Sequence, residues 1–349
     1  MKEASYERKA RVMRVHVAPG SRAEKICRSY AGRPGQPIQP EAIARGIPQT
    51  PSHDLHDRGG KVIQDLVFTN FYVGGSAAWK HDDVQRIDDA LAAAMSDQNL
   101  NNVMVQYFRG AEITSAFRPS HVLPEPASPT FSRADVEKRV RDLHAAGQLN
   151  GFPFGSTIFN LLLPRGIVLT LDDSPGGEKT GAKGSPAHHA SRHIPVEDEA
   201  SSLEGLGGYH GSVQVGDQTL YYAVGVFSEK RSDGTQNGIP VFEEGWKNVV
   251  ATFYHELNEA RTDPDVEDAN RTGNESVVGW TSNAGEEVGD FPVFEADPLT
   301  KVFKEVPLTS GSGKVPIQLQ YSNFLHGPEG PVATARPPAG KGQRDAARV

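Results

Sequence analysis

The chain has 349 residues, with 44 acidic against 36 basic side chains and a formal charge of −8. This balance, with no sustained basic face, excludes a nucleic-acid binder and a basic membrane-surface protein. The single cysteine, Cys27, excludes an intrachain disulfide framework and a multi-cysteine zinc site. No apolar run approaches the ~18 residues of a membrane-spanning helix, and the first residues lack the apolar stretch of a secretory signal, so the expectation is a cytoplasmic protein without a membrane partner.

In chain order, residues 1–59 are rich in Pro, Gly, Arg and His without periodicity, and are expected to form a poorly ordered arm. The β-branched and aromatic run 61–73 predicts a first core strand, ended by Gly74-Gly75. Over 82–95, Val84, Ile87, Leu91 and Met95 recur at helical spacing, and acids in the first turn suit the helix dipole. Residues 102–108 read as another strand, so that strand, helix and strand make a crossover unit with parallel or mixed pairing. The proline-rich stretch 119–129 reads as a loop. Ser132 caps a helix with Asp135 three residues on and Val136, Val140 and Leu143 along one face.

Residues 156–171 predict buried strand interrupted by Pro164-Arg165-Gly166. The polar insertion 172–206 carries His188, His189 and His193, a histidine-rich tract that invites a metal reading but has no frame to fix ligands. Beyond it, 212–215 and 219–227 predict a hairpin turning at Gly216-Asp217.

The most informative stretch is 246–263. Trp246, Val249, Val250, Phe253, Tyr254 and Leu257 form the stripe of an amphipathic helix. His255 and Glu259 lie one turn apart, about 170 to 210° from the centre of that stripe. This His-Glu-x-x-Glu spacing lets an imidazole and a carboxylate hold one metal from a single face, as in the His-Glu-x-x-His of zinc peptidases. Glu256 is then placed as the general base that takes a proton from water. An i, i+4 pair of this kind is also ordinary surface chemistry, but the same face carries Asn248, Ala251 and Thr252 rather than long charged side chains. Downstream, 285–290 offers a second carboxylate cluster between glycines, a source for the third ligand. Thr262-Asp263-Pro264 stops the helix. Short extended pieces follow at 276–280, 293–294 and 317–321, and the basic tail 335–349 is expected to be disordered.

These residues resemble the Exordium / phosphate-induced protein family and its bacterial zincin-like relatives, over about 60–327. The run His255-Glu256-Leu257-Asn258-Glu259-Ala260-Arg261-Thr262-Asp263-Pro264 is similar to the family's His-Glu-(Leu/Ile)-x-Glu-(Ala/Thr)-x-Thr-(Asp/Asn)-Pro. Glu287-Val288-Gly289-Asp290 resembles its Glu-Ile-(Gly/Ala)-Asp, and Gly208-Tyr209-His210 its Gly-(Phe/Tyr)-His. Gly59-Gly60-Lys61-Val62 and Ile167-Val168-Leu169-Thr170 match its strand entries. Family cysteines are missing here: the corresponding neighbours are Leu206-Gly207 and Phe291-Pro292. Relatives are mostly exported, and plant members are wall-associated growth proteins without an assigned reaction.

The resemblance implies a mixed α/β (α+β) domain, 60–334, of the zincin-like metallopeptidase type with a long active-site helix. In that fold the sheet is backed by the helices at Asp82 and Ser132, with the Trp246 helix below. It further implies zinc held by His255, Glu259 and Glu287, with Asp290 as an alternative ligand or the group that orients His255. Glu256 is the base, Tyr209 and His210 stabilise an oxyanion at the cleft edge, and the substrate is a peptide or protein. The alternative is a non-catalytic protein whose zinc or calcium staples the Glu287 loop to the helix, since carboxylate-rich ligation also suits calcium.

Overall fold

A computed structural model describes residues 15–23, 47–171, 200–311 and 313–340. Cys27, His188, His189 and His193 lie outside them, as does most of the expected insertion. Runs of β-branched and aromatic residues form a six-stranded mixed sheet: β1 (Val15–Val17), β2 (Asp65–Tyr72), β3 (Thr114–Val122), β4 (Thr157–Leu163), β5 (Leu206–Val215) and β6 (Gln218–Val226). They lie side by side as β1-β5-β6-β4-β2-β3. Strands β3, β2, β4 and β6 run parallel to one another. The hairpin partner β5 is antiparallel to β6, and β1 is antiparallel to β5. The expected hairpin turn at Gly216 is present, but β5 starts at Leu206, so the glycine-rich lead-in is itself strand.

The helices are α1 (His81–Ser96), α2 (Gln98–Met104), α3 (Arg133–Ala145), α4 (Gly245–Thr262), α5 (Val266–Thr272) and α6 (Asp290–Glu295). The capping box at Ser132 and Asp135 forms as expected, and α3 buries Val136, Val140 and Leu143. The sheet is not backed by α1 and α3 together. Ile87 and Leu91 of α1 share a core with Val249, Val250 and Phe253 of α4, whereas α3 packs on the other face against Phe71, Phe159 and Leu161. Right-handed crossovers account for this: β2 to β3 steps outward and β3 to β4 steps back, so their helices fall on opposite faces.

Other departures have local causes. Residues 102–108 are helical, as α2 followed by a 3₁₀ turn at Val105–Phe108, and not strand. A short apolar run is ambiguous between the two, and the Asp97 side chain, which accepts from the Leu100 N–H at 3.1 Å, starts a helix there. The partner strand of the crossover is β3, which takes Pro119 because it is a sheet edge. Val293 and Phe294 lie in α6.

The described parts of 1–59 pack on the fold instead of forming a loose arm: β1 joins the sheet, Val17, Ile47 and Leu55 are buried, and His56–Asp57 pairs with Trp280–Thr281. Backbone pairing holds this segment, and backbone pairing leaves no hydrophobic period to read. Residues 335–340 also engage the fold, with the Arg336 and Ala339 N–H groups donating to Asn102 and Gln106 at 2.9 Å. The fold also contains the hairpins β7 (Phe303–Pro307) with β8 (Lys314–Gln318) and β9 (Gln320–Ser322) with β10 (Gly327–Glu329). No helix among the described residues is long and apolar enough to cross a membrane.

Candidate metal centre

Both sides of α4 are covered. Every residue from Asn248 to Thr262 is buried, including His255, Glu256 and Glu259. The apolar stripe meets the sheet and α1, while the polar face meets β5, the 285–290 turn and β8. Close approach on the turn side depends on Gly289, where a Cβ would sit 2.3 Å from His255 Nδ1. On the sheet side it depends on Gly208, where a Cβ would sit 2.5 Å from the Val224 carbonyl and 3.2 Å from Glu256 Oε1.

The two helix residues singled out by spacing converge: His255 Nε2 lies 3.0 Å from Glu259 Oε2. Neither atom has a hydrogen-bond partner among the described residues. The remaining polar atoms of both side chains are already engaged. Glu259 Oε1 accepts from the Gly289 N–H at 3.1 Å, and His255 Nδ1 pairs with Gln318 Oε1 at the end of β8. The Gln318 amide is fixed in this sense because its Nε2 donates to the Gly289 and Leu319 carbonyls at 2.8 and 2.9 Å. An acceptor oxygen on Nδ1 places the imidazole proton there and leaves the Nε2 lone pair facing Glu259.

Asp290 joins this pair, whereas Glu287 meets Glu259 in a separate group with His210 and not with His255. His255, Glu259 and Asp290 offer ligand atoms within 4.8 Å of one another, and so do His210, Glu259 and Glu287. Glu287 is fully buried, and neither of its oxygens accepts a hydrogen bond among the described residues. Asp290 Oδ2 accepts from the Glu287 N–H at 2.9 Å, which ties the turn. Orientation of His255, assigned above to Asp290 as one option, falls to Gln318. The neighbouring Glu286 turns away, to His53 Nδ1 at 2.6 Å and the Ser282 hydroxyl at 2.9 Å.

His210 is not at a cleft edge. It is buried between Glu256 Oε2, 3.3 Å from its Nδ1, and Glu287 Oε1, 3.5 Å from its Nε2. Tyr209 points to the opposite face of the sheet, into the core under α3, because successive strand residues alternate. An oxyanion role for Tyr209 is thereby removed.

Burial sets the electrostatics. It pushes the Glu256 carboxyl well above its ordinary range, with Glu259 and Asp290 adding to the shift. Glu287 is raised in the same way by burial, then by Glu259, Asp263, Asp290 and Glu256. Asp263, at the end of α4, is pushed up to about 8 by burial, although Oδ1 accepts from the Gly279 N–H at 2.8 Å. Uncompensated buried carboxylates at this density are costly. A bound cation is the simplest counter-charge, and the donor set of imidazole and carboxylate atoms is able to coordinate one.

Sequence reasoning missed two residues. Gln318 lies 63 positions from its partner His255, in a stretch read only as short strand. His16 lies in the expected arm, yet its ring stacks on that of His255 with centroids 4.0 Å apart, and it forms a third group with His255 and Glu256 within 4.8 Å. Burial, and then the charge of His255, lower its basicity. A cavity of ≈ 520 Å³ beside Arg86, Arg165, Glu244 and Trp246 lies at the start of α4 and contains none of these groups.

No family model, curated protein or solved structure matches the chain. The fold and site therefore define, by themselves, a mixed α/β protein with a buried group of His, Glu and Asp side chains able to hold a metal ion.

Proposed function

We propose that the chain is a metal-dependent hydrolase of the zinc metallopeptidase-like type, as its resemblance to the zincin-like relatives of the Exordium family also suggests. The observation that carries this reading is the 3.0 Å approach of His255 Nε2 to Glu259 Oε2 without a hydrogen bond between them, with Glu287, whose oxygens accept no hydrogen bond among the described residues, also close to Glu259. Such an arrangement is expected of atoms that share a cation rather than a proton. His255, Glu259 and Glu287 would hold it, with Glu259 shared between a group with His255 and Asp290 and a group with His210 and Glu287. Imidazole in the donor set favours zinc over calcium.

Zinc would supply Lewis acidity that makes water easier to deprotonate. Glu256 would take a proton from water there. Burial raises its basicity, and His210 orients it through the 3.3 Å contact. Gln318 holds His255 in the tautomer whose Nε2 lone pair is available.

A second reading, a structural zinc or calcium that staples the Glu287 turn to α4, is favoured by one fact: every side chain of the cluster is 1 % exposed or less. Glu256→Gln separates the two. The variant should retain wild-type zinc content, while hydrolysis of a peptide library falls by roughly two to four orders of magnitude. Zinc-loaded wild type that cleaves nothing, with a variant indistinguishable from it, would favour the staple.

A further inference from the structure

The ligand atoms on the polar face of α4 fall into two groups around one carboxylate. His255, Glu259 and Asp290 form the first, and His210, Glu259 and Glu287 the second, each with its ligand atoms within 4.8 Å of one another. Glu259 Oε1 accepts from the Gly289 N–H. This leaves Oε2 turned toward both imidazoles, 3.0 Å from His255 Nε2 and 3.8 Å from His210 Nδ1. The group with His16 adds no further site, because the His16 and His255 rings are stacked at 4.0 Å and 11° and cannot aim their in-plane lone pairs at one ion.

The two imidazoles of the paired groups are held alike. In each, Nδ1 meets a side-chain oxygen: Gln318 Oε1 for His255, and Glu256 Oε2 at 3.3 Å for His210. With the proton on Nδ1, the Nε2 lone pair of His255 faces Glu259 Oε2. That of His210 faces Glu287 Oε1 at 3.5 Å and the Asp263 carbonyl at 3.4 Å. Lone pairs set against oxygens repel unless a cation lies between them. Glu259 Oε2 and both Glu287 oxygens are buried and accept no hydrogen bond among the described residues, so each lacks a partner that an ion supplies.

Charge points the same way. Glu256, Glu259, Glu287 and Asp290 are formally four negative charges, each side chain 1 % exposed or less. Among the described residues, Glu256, Glu259 and Glu287 form ion-pair contacts with His210 and His255 and with no lysine or arginine. One divalent ion leaves two of these charges uncompensated in the interior, and two ions cancel all four. Zinc ions each about 2.0–2.2 Å from one carboxylate oxygen are at most about 4.4 Å apart, which covers the roughly 3.5–4 Å of two-metal hydrolytic centres.

We propose that the centre holds a pair of zinc ions bridged by Glu259, the first on His255 and Asp290 and the second on His210 and Glu287. This rests on the metal-hydrolase reading and refines its ligand set, since Glu287 then serves the second ion and Asp290 the first. A pair supplies one position for the attacking water and another for the scissile carbonyl oxygen.

The test uses the full-length protein, stripped of metal and dialysed against zinc, with Glu287→Gln and His210→Gln beside wild type. Glu287→Gln is nearly isosteric, and circular dichroism checks the fold of both variants. Atomic absorption should find two zinc ions per chain in wild type and one in each variant. A single ion held by His255, Glu259 and Glu287 would instead give one in wild type and none in Glu287→Gln. In the cobalt-substituted wild type, the paramagnetic resonance signal per ion should fall as the second equivalent enters, because the two spins couple through the shared oxygen. Wild type that saturates at one zinc overturns the pair and leaves His210 as an imidazolium counter-charge. A folded Glu287→Gln with two ions or none also overturns it, as does a cobalt signal that grows in proportion to both equivalents. Coupled ions in a wild type that cleaves nothing in a peptide library keep the pair and overturn the hydrolase reading; cleavage with one ion per chain does the reverse.

Discussion

Replacing Gln318 with leucine tests whether this buried amide sets up His255. The side chain makes three hydrogen bonds, accepting from His255 Nδ1 and donating to the Gly289 and Leu319 carbonyls. Leucine keeps the volume and removes all three. In the zinc-free protein the His255 N–H is then buried without an acceptor, at a cost of roughly 1–3 kcal/mol. In the loaded protein, loss of the partner that fixes a ligating imidazole weakens metal binding about 10- to 100-fold, or roughly 1.4–2.7 kcal/mol. Competition against a chromophoric chelator reads the affinity, and denaturant unfolding of zinc-free protein reads the stability. Gln318→Glu restores an acceptor for His255 but cannot donate to the two carbonyls, so its zinc affinity should recover more than its stability. A Gln318→Leu protein whose zinc affinity stays within about twofold of wild type would refute the role assigned to this amide.

Arg261 is fully buried and donates to the Gln64 and Thr114 carbonyls at 2.8 and 3.1 Å, which locks α4 to the starts of β2 and β3. Two bonds from a charged donor are worth roughly 1.5–3 kcal/mol each, so Arg261→Met should lower unfolding free energy by about 3 kcal/mol or more; a loss below about 1 kcal/mol would contradict that lock. Asp263 gives a pH dependence in the zinc-free protein. Burial pushes its carboxyl up to about 8 in the folded protein, far above an ordinary aspartate, so the folded state holds a proton that the unfolded state releases. Stability contributed by this group is present at acid pH and is lost as pH rises through about 4 to 8. Urea unfolding of zinc-free protein at several pH values across this window should show the decline, and stability that is flat or rises with pH would speak against a buried neutral Asp263.

What could be read from the chain was what local spacing encodes. The stripe Trp246 to Leu257 predicted α4, Ser132 and Asp135 predicted the cap of α3, and the i, i+4 spacing brought His255 to Glu259. Those features depend on helical period and on contacts three or four residues apart, which a sequence displays directly. Helix type failed at 102–108, where a short buried apolar run carries no period. The rest of the site depends on long-range partners. Gln318 and His16 are ordinary residues in unremarkable stretches, and they become part of the centre only because the β7–β8 hairpin ends against α4 and because β1 pairs with β5 opposite Gly208. Backbone pairing at a sheet edge asks little of side-chain identity, so the sequence of β1 does not announce its partner. Likewise, Tyr209 and His210 lie in a stretch not read as strand, and the face that received each was decided only when β5 joined the sheet and α4 settled against one side of it and α3 against the other.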